Sequence, residues 1–153
     1  MGHLIRTAVL SDLKIVQHIS ESAYVPAYES VIGTVPKPAY EDYSARVKAE
    51  QVSIIGTEKK PFGLVVLETG DSSIAVYSIA VLPEHQRKGL GRELLRFAKN
   101  KAVEIGKERI TLFTNSRMSR NVALYKSEGF IETGQREHPS RINEYLVDFE
   151  KFV

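Results

Sequence analysis

Three basic side chains and two glycines are packed into Gln86-Arg87-Lys88-Gly89-Leu90-Gly91-Arg92. An apolar run, Ile74 to Leu82, leads into this stretch, and a segment of helical periodicity follows it. The chemistry open to such a junction is the holding of an anion. A helix start offers about four backbone N–H groups with no partner inside the helix, together with a partial positive charge. Glycine at 89 and 91 lets the backbone approach an oxygen without a Cβ, while Arg87, Lys88 and Arg92 add mobile positive charge. Together these suit a pyrophosphate better than a single carboxylate. An isolated Gly-x-Gly also serves as a plain turn into a helix, so the surroundings decide. A Walker loop needs four residues between its glycines and then Lys-Ser/Thr, which this stretch lacks. The dinucleotide fingerprint needs a third glycine where Leu94 stands and a parallel sheet around it.

The elements around the junction follow from periodicity and turn chemistry. The first strand is expected at Leu4 to Ala8. Ser11 or Asp12 then caps a helix whose Leu13, Val16, Ile19 and Ala23 recur at helical spacing. The stretch Tyr24 to Tyr43, rich in Tyr, Pro and Gly, reads as a loop plus a second helix starting near Pro36 or Pro38. Strands at Val52 to Gly56, Phe62 to Glu68 and Ser73 to Leu82, joined by turn-like segments, form an antiparallel meander. Gly89 to Ile105 is amphipathic and stops at Gly106. A strand at Arg109 to Thr114 must then run parallel to the third meander strand, since a helix connects them. A last helix, Ser119 to Glu128, ends at Gly129, and Phe130 to Glu137 with Glu144 to Phe149 closes as a hairpin. The expected class is α/β (α+β), order β-α-α-β-β-β-α-β-α-β-β: a mixed, mostly antiparallel sheet with helices on both faces.

Bulk composition narrows the function classes. The chain has 153 residues, 42% hydrophobic and 26% charged, within the range of one compact domain, and no repeat or linker divides 1-153. With no cysteine, disulfides, thiolate metal sites and cysteine nucleophiles are excluded, and no metal site is expected. A net charge of +2 is too near balance for nucleic-acid binding by bulk field. The apolar run falls far short of the about 18 residues that cross a bilayer. With no basic-then-apolar leader, the expectation is a soluble, cytoplasmic protein with no membrane partner.

The pattern Gln86-Arg87-Lys88-Gly89-Leu90-Gly91, behind the strand Ser78-Ile79-Ala80-Val81, resembles the acyl-CoA motif of the GNAT family of N-acetyltransferases, Q-R-x-G-x-G. A second block, Asn121-Val122-Ala123-Leu124-Tyr125-Lys126-Ser127-Glu128-Gly129-Phe130, is similar to the family's N-x-A-L-Y-x-x-x-G-F. The early pattern from Ala23 to Tyr43 also looks like one bacterial branch of small-substrate members. The resemblance implies acetyl-CoA as co-substrate and a small-molecule amine as acceptor; relatives often form dimers, but whether this chain forms a homodimer is not readable from the sequence.

It also implies roles for individual residues. Ile79, Ala80 and Val81 would pair with the pantetheine arm through backbone groups, although the same alternation describes a plain buried strand. Gln86 to Arg92 would hold the pyrophosphate. Tyr125 is the candidate general acid, because a phenol of reference pKa near 10 can protonate a departing thiolate of reference pKa near 8.5; a tyrosine beside Leu124 otherwise packs in a core. Asn121, one turn earlier on the same face, would bond the cofactor arm or simply solvate the helix. Tyr24, Tyr28, Tyr43 and Tyr77 are the acceptor-contact candidates, with ring packing as the competing role. Two departures stand out. Met118 occupies a position where many members carry Asn, and Ala75 and Tyr77 stand where relatives often supply a carboxylate base. A water chain near Glu68 or Tyr77 is the expected proton route, ahead of Glu84 and His85. No acidic cluster in the sequence announces a polyamine or basic peptide. The alternatives are a protein N-terminal or lysine acetyltransferase, or an acetyl-CoA sensor that no longer catalyses.

Overall fold

A computed structural model describes residues 3–153. Its elements are β1 (Leu4–Thr7), α1 (Leu13–Val31), α2 (Ser44–Lys48), β2 (Val52–Gly56), β3 (Pro61–Thr69), β4 (Ser73–Val81), α3 (Leu90–Glu104), β5 (Arg109–Asn115), α4 (Ser119–Ser127), β6 (Ile131–Glu137) and β7 (Tyr145–Phe152). This is the order expected from the sequence. The strands form one seven-stranded sheet, β1-β2-β3-β4-β5-β7-β6. It is mostly antiparallel, and the exception is the expected one: Ser73, Ile74 and Ala75 of β4 run parallel to Arg109, Ile110 and Thr111 of β5.

Two compact units divide the chain, one comprising residues up to Leu67 with Ser78–Leu94, the other Glu68–Tyr77 with Leu95–Val153. In the first, β2 pairs antiparallel with β1 and β3, and all five β2 residues are buried. A strand buried throughout must be apolar on both faces, which is why VSIIG shows no polar alternation. Val16, Ile19, Tyr43, Ile55 and Leu64 form this core, each large side chain contributing about 1.5–3 kcal/mol on burial. In the second unit, β7 pairs with β5 over Arg109↔Phe152 to Asn115↔Leu146 and with β6 on its other edge. Composition explains which strand is inside: β7 buries Leu146, Val147 and Phe149, while β6 is almost wholly exposed.

Two expectations near the N-terminus are corrected. Tyr24 does not open a loop, because α1 continues through Pro26 to Val31. Proline removes one N–H and so one hydrogen bond of the helix, but the buried Val16, Ile19 and Ser20 hold the helix against its unit. The stop is Gly33, at φ +82°, whose N–H bonds the carbonyls of Tyr28 and Glu29. The second helix starts at Ser44 rather than at Pro36 or Pro38, where a single 3₁₀ turn, Lys37–Ala39, is found instead. Asp42 sets that start by accepting hydrogen bonds from the backbone N–H and hydroxyl of Ser44.

Asp12 caps differently from expectation. Its carboxylate accepts two bonds from the Arg6 guanidinium (2.7 and 3.0 Å) and one from the Val9 N–H (2.9 Å), tying β1 to the turn before α1. The Arg6 hydrogen bonds hold the Asp12 carboxyl below the usual carboxylate range.

Candidate active site

The basic glycine stretch forms an open turn in the first unit. After β4 a 3₁₀ turn, Pro83–His85, delivers the chain into an extended Gln86, at φ −70° and ψ 159°. Arg87 then takes φ +63° and Gly89 φ +81°, left-handed values of the kind found in backbone turns that bind anions. The Gly89 carbonyl accepts the Glu93 N–H (3.1 Å), closing the first turn of α3. Gln86, Arg87, Lys88, Gly89 and Arg92 are exposed, whereas Leu90 and Leu94 are buried and fix the start of the helix. The left-handed turn, the helix start and the charges thus coincide in one stretch.

Ring contacts support this turn. His85 stacks on Phe62 with centroids 4.0 Å apart, and His3 meets the same ring edge-on at 5.6 Å. The His3 imidazole lies 3.0 Å from Glu93, an acid in the first turn of α3, where the helix dipole favours negative charge. Stacking gives His85 a packing role, which weakens it further as a base candidate.

Strand β4 reaches the turn along an alternating pattern, with Ser78 and Ala80 buried and Tyr77, Ile79 and Val81 half-buried. Side chains cap two of its carbonyls. Gln86 Nε2 donates to the Val81 carbonyl (2.9 Å), and the Tyr24 hydroxyl donates to that of Ile79 (3.0 Å) while lying 2.8 Å from Ser78 Oγ. Tyr28 packs beside Tyr24, centroids 5.5 Å apart. Tyr43 is a correction: it is wholly buried and its hydroxyl donates to the Pro38 carbonyl, leaving no face for an acceptor. Burial pushes its phenol up to about 12.

In the second unit, Tyr125 is half-buried on α4 with its ring against Phe130 (6.1 Å) and Phe149 (5.7 Å). The Asn121 side-chain amide donates to Thr114 Oγ1 on β5 (3.2 Å), so one of its donors ties helix to strand. Met118 is buried. Register assembles a feature that linear reading missed: a cavity of about 320 Å³ whose lining includes Glu68, Ala75, Tyr77, Phe113, Asp148 and Glu150. Arg109 meets Glu150 (3.5 Å), and Arg136 meets Asp148 (2.9 Å) while lying 5.0 Å over the Phe113 ring. Glu68, Asp148 and Glu150 therefore line one cavity together with Ala75. A larger hollow of about 510 Å³ lies by Arg96, Lys99, Glu128 and Lys151. There Arg96 pairs with the Glu128 carboxylate (3.3 Å) and Lys151 donates to the Glu128 carbonyl (2.5 Å), interactions that close the end of α4.

Among the described residues, no group of three His, Asp or Glu side chains is arranged to hold a metal ion, and no helix is long and apolar enough to cross a membrane. No curated protein matches the chain by sequence. Solved structures share its fold. The ribosomal-protein-S18-alanine N-acetyltransferase of Escherichia coli is 20% identical, with a TM-score of 0.76 over 98% of this chain and 93% of its own. A putative GNAT acetyltransferase of Desulfovibrio desulfuricans reaches 0.80 at 18% identity over 99% of each chain. PaiA N-acetyltransferase of Thermoplasma acidophilum, solved with coenzyme A, reaches 0.76 at 15% identity over 97% of this chain and 98% of its own. The model of the Acetyltransferase (GNAT) family matches residues 16–130, which takes in most of α1 and all of β4, the glycine turn and α4, so the chain belongs to the GNAT acetyltransferase family.

Proposed function

We propose that the protein moves an acetyl group from acetyl-CoA to a primary amine of a small molecule. The observation that carries this reading is the Gln86–Arg92 turn. Left-handed Arg87 and Gly89 precede a 15-residue helix and leave three basic side chains exposed, a setting that fits a pyrophosphate. Structural neighbours solved with coenzyme A, and with acetyl-CoA in YncA of Salmonella typhimurium, support it.

The chemistry then assigns each group a task. The amine lone pair adds to the thioester carbon, forming the C–N bond, and collapse of the adduct breaks the C–S bond. The arriving ammonium first loses one proton through water beside Glu68 or Tyr77, which frees that lone pair; Tyr125 protonates the departing thiolate and is reprotonated by the second proton that the adduct nitrogen loses. Ile79 to Val81 align the pantetheine arm through backbone groups. With Asp148 and Glu150 paired to Arg136 and Arg109, Tyr77 and Glu68 are the cavity groups that would meet an aliphatic amine, which arrives as an ammonium ion. Tyr24 and Tyr28 border the strand.

A thiol-release screen with acetyl-CoA against small amines, an alanine-terminated peptide and a lysine peptide tests the reading. Release with a small amine is expected. Release with peptides alone points to a protein acceptor, and acetyl-CoA binding without release from any amine points to a sensor. In the active pair, Tyr125→Phe keeps the ring contacts and lowers kcat about 100-fold with acetyl-CoA affinity unchanged; full turnover in that variant removes the acid role.

A further inference from the structure

Tyr24 holds one strand at two consecutive residues. Its oxygen lies 2.8 Å from Ser78 Oγ and 3.0 Å from the Ile79 carbonyl. A phenol carries one hydrogen and a carbonyl can only accept, so the proton of Tyr24 goes to Ile79 and Ser78 must donate to Tyr24. The order is therefore Ser78 O–H to Tyr24 O–H to Ile79 C=O. Ser78 is buried at 3% exposure, where an unpaired hydroxyl is costly, so Tyr24 also satisfies the Ser78 hydroxyl as its acceptor.

The direction of the Ile79 carbonyl gives this a consequence. In an extended strand the N–H and C=O of one residue point to the same edge, and those of its neighbours to the other. The Leu82 N–H bonds the Phe62 carbonyl on β3 (2.8 Å), so Ile79 and Val81 direct theirs to the opposite edge. On that edge both carbonyls already accept from side chains, Tyr24 and Gln86. What the strand then directs to a ligand carbonyl is backbone N–H. As an amine adds to a thioester, the carbonyl oxygen gains negative charge, and a fixed N–H stabilises it.

We propose that Tyr24 is a positioning residue for acetyl transfer: by holding the Ile79 carbonyl it fixes the N–H groups on that edge of β4 toward the thioester oxygen. This gives Tyr24 a different role from acceptor contact. The inference rests on the reading of Ile79 to Val81 as the strand that meets the pantetheine arm.

The test compares acetyl-CoA with CoA, which lacks the carbonyl. By titration calorimetry, Tyr24→Phe should keep its affinity for CoA within about twofold while the preference of the wild type for acetyl-CoA disappears, and kcat should fall about tenfold. Ser78→Ala leaves the bond to Ile79 in place and should keep the wild-type preference. A Tyr24→Phe protein that loses both affinities equally, or that keeps both the preference and kcat, overturns the proposal. So does a Ser78→Ala protein that behaves like Tyr24→Phe. Wild-type protein that binds neither ligand brings down the cofactor reading and this inference with it, whereas normal wild-type binding with an unaltered Tyr24→Phe removes this inference alone.

Discussion

Arg87 and Gly89 adopt the same left-handed backbone for different reasons. Glycine bears that conformation without penalty, while an L side chain costs about 1–2 kcal/mol there. Arg87 therefore holds an unfavourable φ of +63° at an exposed site, which makes sense if its charge is used. We expect Arg87→Gly to raise stability in a urea melt by up to about 1 kcal/mol while weakening acetyl-CoA binding. Gly89→Ala should lower stability by about 1–2 kcal/mol, although a Cβ there would meet no atom within 4 Å. A stability order opposite to this would mean that the turn relaxes out of the left-handed region. The glycine was legible as a turn residue, because only its missing Cβ is needed to argue it. The conformation of Arg87 was not, since no local rule places arginine at positive φ.

Between elements, the bonds that join a strand to a neighbouring turn carry more than propensity does. Asp12 accepts from Arg6 and from the Val9 N–H, and its depressed pKa makes that join sensitive to acid. The unfolded carboxyl titrates near 3.9 and the folded one lower. The stabilisation is thus complete above the unfolded value and is lost as pH falls through the folded one. Asp12→Asn should cost about 1 kcal/mol at pH 7, kept small because Arg6 is half exposed and screened. The gap to wild type in thermal melts should close below about pH 4; a gap independent of pH would assign the loss to packing. Helix α1 shows the converse limit of local reading. Pro26 is a breaker by sequence rules, yet Val16, Ile19 and Ser20, buried ahead of the one missing bond, anchor a helix that runs on to Val31.

For the molecule as a whole, ligand binding should appear as stability. A ligand at 100 times its Kd adds about 2.7 kcal/mol, and in a domain near 150 residues each kcal/mol raises Tm by about 2–4 °C. Saturating acetyl-CoA should therefore raise Tm by about 5–10 °C, and by less in high salt because the turn is exposed. An unchanged melting curve would remove the cofactor reading. The sequence by itself determined the order of strands and helices, the parallel β4–β5 pair and the glycine turn at the start of α3, because periodicity, capping and turn chemistry act over a few residues. It also carried the two motifs that mark the family. Tertiary structure decided that Tyr43 is core and that Tyr24 grips a strand 54 residues away. It likewise brought Glu68, Asp148 and Glu150 to one cavity lining with Ala75. Those outcomes depend on strand register and on which hydroxyl meets which carbonyl, and contacts between distant segments exist only once the chain has folded.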